Sequence, residues 1–220
     1  QGWVNISDRF FAVGSMGAIE VAPSNPDIIY AGTGSDGLRS NVSIGNGVYK
    51  STDAGRSWAH VGLKDVGNIG GIRVHPANPD IAFVAAIGNP FRPSNDRGLY
   101  RTTDGGTSWQ RILFVSDSTG AVDIEFQPGN PNTIYASMWR AERKPWTIIS
   151  GAREGGVYKS TDGGATWKKL EGGLPNDLVG KSNVAVTPAD SNLVWVLIEA
   201  KPGGGLYRSN DAGESFTLAS

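Results

Sequence analysis

Four aspartates recur in one setting: Asp53 in "STDAGRSW", Asp104 in "TTDGGTSW", Asp162 in "STDGGATW" and Asp211 in "SNDAGESF". Acidic side chains at regular intervals suggest a carboxylate cluster for hydrolysis or for a metal ion. A pair that cleaves a glycosidic bond must stand about 5–5.5 Å apart for retention, or about 6.5–9.5 Å for inversion. The intervals argue against such a cluster, because the four are separated by 51, 58 and 49 residues and each lies in its own copy of a repeat. Equivalent turns in successive copies are held apart by the architecture, so a structural role is expected for all four. The carboxylate candidates outside the octets are those in segments that differ between copies: Asp36, Asp65, Asp96, Asp117, Glu142, Glu154 and Asp177.

The elements around the octets explain the repeat. "IEVAPSNPDIIYAG" from Ile19, "IRVHPANPDIAFVA" from Ile72, "IEFQPGNPNTIYAS" from Ile124 and "VAVTPADSNLVWVL" from Val184 each read as an alternating strand, a Pro/Asn/Asp turn and a second strand. A third strand follows in "GVYKS" or "GLYRT/S", and the octet then turns the chain into a fourth, led by Trp58, Trp109, Trp167 or Phe216. Four antiparallel strands per unit of about 50 residues is the pattern of a β-propeller blade, a sheet that buries its faces by stacking on its neighbours. The expected fold is therefore all-β, with blades at approximately 17–62, 70–114, 122–171 and 182–220. Residues 2–7 read as an orphan outer strand of a preceding blade, with Trp3 in the place of Trp58. In each octet the Asp carboxylate accepts turn hydrogen bonds, Gly55, Gly106, Gly164 or Gly213 takes a positive φ, and the aromatic drops between blades.

Composition agrees and narrows the function. Among 220 residues there are 31 Gly and 12 Pro, which favours short strands and turns over helices. The formal charge is −1 with no block of like charge, so the basic footprint of a nucleic-acid binder is missing. No apolar run is long enough for a membrane-spanning helix. The absence of Cys removes disulfides, thiolate nucleophiles and cysteine metal sites. Neither His60 nor His75 has a neighbour at metal-ligand spacing, so no metal and no cofactor is expected.

The octet S-x-D-x-G-x-[ST]-W resembles the Asp-box, or BNR repeat, of sialidases, xyloglucan-cleaving propellers and sortilin-type receptors. The match is strong in three copies and weaker in the last, where Phe216 replaces Trp. The stretches "YAGTGSDGLRSNVSIGNGVYKSTDAGRSW", "GLKDVGNIGGIRVHPANPDIAFVAAIG" and "YASMWRAERKPWTIISG" are similar to bacterial sortilin-like BNR-repeat proteins, a group also described as glycosyl hydrolases. The resemblance implies exported, many-bladed propellers longer than this chain, and hence a secreted, periplasmic or cell-surface location. It implies that the chain is an internal portion of such a protein.

In a meandering blade the 1–2 turns and the octets share one face, while the 2–3 and 4–1 loops share the other. The second face carries the length variation, so binding is expected there. Its loops are 34–46, 88–98 and 138–156, with 63–71, 116–122 and 174–182 between blades. Ligand-binding candidates are Arg39, Arg92, Arg97, Trp139, Arg140, Glu142, Arg143 and Trp146, because tryptophan faces stack on sugar rings and arginine forks bind carboxylates. In the competing reading both tryptophans pack against the neighbouring blade. Asp36 is the candidate catalytic carboxylate: it follows a second strand of the first blade, where the resemblance to xyloglucan-cleaving propellers implies an Asp, although "GTGSDGLRSN" departs from their pattern. No arginine triad or Tyr-Glu pair of a sialidase can be assembled. Three readings follow: a non-catalytic interaction or assembly module for protein or glycan, the part of a glycoside hydrolase that supplies substrate-binding loops, and a self-assembling structural protein. Further blades of the same chain or other copies of it are the expected partners of the exposed blade edges.

Overall fold

Each copy of the repeat closes into one antiparallel sheet, with the strands in sequence order in three blades and with an extra strand paired to the second strand in the other. The computed structural model describes residues 2–220 and contains four such sheets. Blade 1 is β1 (Met16–Val21), β2 (Ile29–Thr33), β3 (Val48–Ser51) and β4 (Ala59–His60). Blade 2 is β5 (Asn68–Val74), β6 (Ala82–Gly88), β7 (Gly98–Thr102) and β8 (Gln110–Leu113). Blade 3 is β9 (Thr119–Gln127), β10 (Asn130–Arg143), β11 (Ile148–Ser150), β12 (Gly156–Ser160) and β13 (Lys168–Lys169). Blade 4 is β14 (Leu178–Thr187), β15 (Asp190–Lys201), β16 (Gly205–Ser209) and β17 (Thr217–Leu218). The fold is the all-β propeller architecture that the repeat predicts.

The octets make the same hydrogen bonds in every blade. In blade 2, Thr102 Oγ1 donates to Asp104 Oδ1 at 2.7 Å and accepts from the Gly106 amide at 2.9 Å. Asp104 in turn accepts from the Ser108 amide at 2.9 Å and from Ser108 Oγ at 2.5 Å. Asp53, Asp162 and Asp211 repeat this set through Ser57, Thr166 and Ser215. These donors hold the carboxyls of Asp53, Asp104 and Asp162 down at about 2, from an ordinary value of 3.8, with the Ser or Thr hydroxyl as the largest cause, and they lower Asp211 as well.

The box glycines form the joints between blades. Gly55, Gly106, Gly164 and Gly213 have φ of 84° to 96°. A Cβ on Gly106 would stand 2.9 Å from Val61 Cβ, one on Gly164 2.7 Å from Ile112, and one on Gly213 3.2 Å from Leu170. Those three apolar residues each lie three positions after the box Trp of the preceding blade. Trp109 fastens the first joint by donating Nε1 to the Val61 carbonyl at 2.7 Å. The core is accordingly divided by joint: Tyr30, Val48, Ile69, Ile72 and Val84 between blades 1 and 2; Phe83, Leu99, Ile124 and Ile134 between 2 and 3; Tyr135, Val157, Val184 and Val196 between 3 and 4.

Two expectations are corrected. Residues 2–7 form no strand, and Trp3 is fully exposed. An outer strand holds only by pairing with a third-strand edge, and the described residues offer none at that place. Ile6 nevertheless lies against Gly55, where a Cβ would meet it at 3.1 Å, in the position that Val61, Ile112 and Leu170 take at the other joints. Second, 138–156 is not a loop. β10 runs on to Arg143 and pairs with β11, setting Ala141, Glu142 and Arg143 opposite Ser150, Ile149 and Ile148. The β-branched pair Ile148-Ile149 favours this extension.

Because the folded box carboxyls titrate below the unfolded ones, the unfolded chain takes up protons first as the pH falls. The boxes therefore contribute their full pH-dependent stability above about pH 5 and lose it from pH 4 down through pH 2. Thermal melts across this range are expected to show that loss, and Asp104→Asn to show a lower Tm at pH 7 with a shallower acid slope. Gly106→Ala combines a strained φ with a clash against Val61 and is expected to cost about 2–4 kcal/mol in denaturant unfolding.

Candidate functional site

The length-variable loops gather on one face, and a few buried groups fix their shape. Arg97 is fully buried and holds two blades together. Its guanidinium donates to the carbonyls of Ile87 (2.7 Å), Asn89 (2.7 Å), Arg92 (3.3 Å) and Ala141 (3.2 Å). Burial lowers its pKa to about 10, which leaves it charged at neutral pH. Arg97 is thus a brace between the 88–98 loop and β10, not a ligand-binding arginine. The Arg143 amide adds a second tie by donating to the Pro90 carbonyl at 2.6 Å.

The two loop tryptophans part company. Trp139 is 5% exposed, packs with Leu38, Ile87, Val122 and Ala141, and donates Nε1 to Ser150 Oγ at 2.9 Å. Trp146, at the tip of the β10–β11 hairpin, is 81% exposed. On the adjoining loop Phe91 is 44% exposed and Arg92 is also exposed. Glu142 is buried and paired with Lys144, so it supports the hairpin rather than meeting a ligand. Arg140 and Arg143 are half-buried. The surviving candidate surface is a rim made of Phe91, Arg92, Arg143 and Trp146.

Beside the rim, loop 34–46 reaches across the sheets to blade 4. Lys181 Nζ donates to the Asp36 carbonyl at 3.2 Å and lies 3.7 Å from the Asp36 carboxylate. Leu38 is buried under the loop, and Asn68 Nδ2 donates to the Ser35 carbonyl at 2.9 Å. The loop borders a polar cavity of about 460 Å³ lined by Ser15, Ser35, Asp36, Arg39, Asn41 and Ser43. Asp36 and Arg39 are exposed there.

Of the other candidate carboxylates of this face Asp65 is exposed, and the rest are engaged locally. Glu154 accepts from Ser116 Oγ (2.6 Å) and Thr119 Oγ1 (2.5 Å), and those hydrogen bonds lower its pKa. Asp96 accepts from Ser94 Oγ, Asp117 from Ser118 Oγ, and Asp177 pairs with Arg153. A general acid needs a raised pKa, and the carboxylates that burial raises are Glu20 and Asp123, on first strands of their blades. Asp123 spans a joint, accepting from the Val184 amide (2.9 Å) and Asn183 Nδ2 (3.2 Å). Glu20 and Glu125 flank Arg73, with Arg73 Nη1 3.6 Å from Glu20 and Arg73 Nε 3.1 Å from Glu125. Sequence reasoning missed this ladder, although the signal was present: the three charges follow Ile19, Ile72 and Ile124 in one column of the repeat.

Comparison with known proteins matches residues 46–170, more than half of the chain, to the family model Sortilin-Vps10, described as sortilin, neurotensin receptor 3. The chain belongs to that family. It is also similar to a xyloglucanase of Hypocrea jecorina, 29% identical over 85% of this chain and 19% of the relative. The xyloglucanase Xgh74A of Acetivibrio thermocellus is 25% identical over 78% of this chain and 22% of its own length. The chain thus spans about a fifth of the curated relatives it matches. Among solved structures, an ancestral GH74 enzyme superposes with a TM-score of 0.70 at 20% identity, covering 96% of this chain and 24% of that one. A GH74 enzyme of Niastella koreensis gives 0.64 at 20% identity, covering 91% and 29%. These likenesses agree on the propeller fold.

Replacing Arg97 by Leu would strand several buried carbonyls at once. A loss of about 3 kcal/mol is expected in denaturant unfolding, with faster proteolysis in 88–98, whereas Arg92→Leu should change stability by less than about 0.5 kcal/mol.

Proposed function

We propose that the chain is a non-catalytic arc of a longer extracellular propeller and that the rim of blades 2 and 3 holds a polysaccharide chain. The observation that carries this reading is Trp146, 81% exposed at the tip of a hairpin whose base is tied down by Arg97 and Arg143. A large aromatic held rigidly in water presents a face at little entropic cost, which suits stacking on a sugar ring. Phe91 offers a second apolar face on the adjoining loop, and Arg92 offers donors for hydroxyl groups. The similarity to xyloglucanases supports a glycan over a protein ligand. The similarity to xyloglucanases, whose substrate is a polysaccharide, supports an extracellular setting.

The non-catalytic part rests on the carboxylates. Asp96, Asp117, Glu142, Glu154 and Asp177 each carry a local partner, and those that burial raises are tied into the joints between blades. One observation favours the hydrolase reading: Asp36 borders the polar cavity, from which it could act with a carboxylate outside these residues.

Titration with xyloglucan oligosaccharides separates the readings. Binding by the unaltered chain is expected, weakened about tenfold, or about 1.4 kcal/mol, by Trp146→Ala with an unchanged circular dichroism spectrum. Asp36→Asn should leave binding unaffected and reveal no lost turnover. Failure of the chain to bind any glycan in a panel contradicts the proposal, and hydrolysis that disappears in Asp36→Asn establishes the catalytic alternative.

A further inference from the structure

The aromatic faces of the rim suit many sugar rings, but the polar groups beside them are of one kind. Residues 88–98 and 138–150 carry five cations and two carboxylates, whereas the whole chain has a formal charge of −1. Both carboxylates are engaged: Glu142 is buried against Lys144, and Asp96 accepts from Ser94 Oγ at 2.8 Å. The amide oxygen of Asn89 is engaged too, accepting from the Phe91 amide at 2.9 Å. Among the described residues, neither Arg92 nor Arg143 pairs its guanidinium with a carboxylate. A guanidinium donates through five N–H groups and accepts nothing. The rim therefore offers donors, with the acceptors next to it already spent.

The backbone keeps these two arginines together. Arg97 Nη2 donates to the carbonyls of both Arg92 (3.3 Å) and Ala141 (3.2 Å), and the Arg143 amide donates to the Pro90 carbonyl (2.6 Å). Arg92 and Arg143 thus spring from segments fastened to each other at two points. Phe91 adjoins Arg92 in the chain, and Trp146 follows Arg143 by three residues, so each cation has an exposed aromatic close by. Arg97 adds a third positive charge beneath them, because the carbonyls that hold it neutralise none of that charge.

A sugar hydroxyl both donates and accepts, so a site for a neutral sugar needs acceptors as well as donors. A carboxylate only accepts, and an arginine fork meets it with two parallel hydrogen bonds. We infer that the rim selects an anionic polysaccharide of the polyuronate class, with sugar rings on Trp146 and Phe91 and ring carboxylates on Arg92 and Arg143. This rests on the reading of the rim as a glycan site and gives that site its substrate class. An acidic peptide also supplies carboxylates, but it has no flat ring faces to cover the tryptophan, whereas a polyuronate uses both halves of the rim.

The test is calorimetric titration of the whole chain with hexagalacturonate and hexamannuronate, each beside its fully methyl-esterified form, which keeps the rings and loses the charge. At least one acid is expected to bind about tenfold tighter than its ester, the size of one charge-assisted pair. Raising NaCl from about 10 to about 100 mM, which shortens the Debye length from about 30 to about 10 Å, should weaken the acid severalfold and leave the ester unchanged. The double variant Arg92→Gln, Arg143→Gln keeps the backbone ties and should bring the acid down to the affinity of the ester. Trp146→Ala should weaken acid and ester alike. Equal affinity for acid and ester overturns the inference while leaving the glycan reading in place, and so does a preference for the acid that survives the double variant. Hexaglutamate bound as tightly as the better acid, with no loss on Trp146→Ala, overturns it in favour of an acidic peptide. Binding of none of these, nor of xyloglucan oligosaccharides, removes the glycan reading itself and the inference with it.

Discussion

Val61, Ile112 and Leu170 each press into a slot over the box glycine of the next blade, and the rest of the molecule follows from that contact. A four-stranded sheet has two faces and cannot bury both alone. Here one apolar side chain enters the joint where the neighbour has no Cβ, and the turn around that glycine is locked by a carboxylate that accepts from three donors and by the opening Ser or Thr hydroxyl, which donates to that carboxylate and accepts from the glycine amide. The Asp is thus spent on geometry. Its low pKa, usually read as a mark of function, reflects here the strength of the turn that keeps the slot open.

Rigid joints leave the opposite face free to vary. The longest excursions from the repeat, loops 34–46 and 88–98 and the β10–β11 hairpin, are all on that face, and each is anchored by groups that reach into another blade. Arg97 spans blades 2 and 3, and Lys181 of blade 4 holds the loop of blade 1. Loops braced in this way are fixed at their bases, and Trp146 stands at the tip of one of them. The Glu20, Arg73 and Glu125 ladder gives the first strands a similar continuity on the other side of the sheets.

Much of the fold was legible because its determinants are local. The box hydrogen bonds join residues two and four apart, so spacing alone identifies them. The site was less legible because its determinants are remote. Arg97 looks like any exposed loop arginine, and only the carbonyl of Ala141, 44 residues away, reveals its role as a brace. Trp139 and Trp146 looked equivalent in sequence, yet the extension of β10 turns one into the core and leaves the other at the hairpin tip. The failure of residues 2–7 to form a strand has the same origin, since an outer strand is specified by its partner and Ile6 found its slot without one.

The amide hydrogens of Gly106, Gly164 and Gly213, each donated to the Ser or Thr that opens its box, test the central claim most directly. If the slots hold the blades together, native-state hydrogen exchange will show these amides exchanging only with global unfolding, at rates matching the slowest amides of β6 and β10. Fast exchange at the glycines while those strands stay protected would contradict the account, because the turns would then open without loosening the joints.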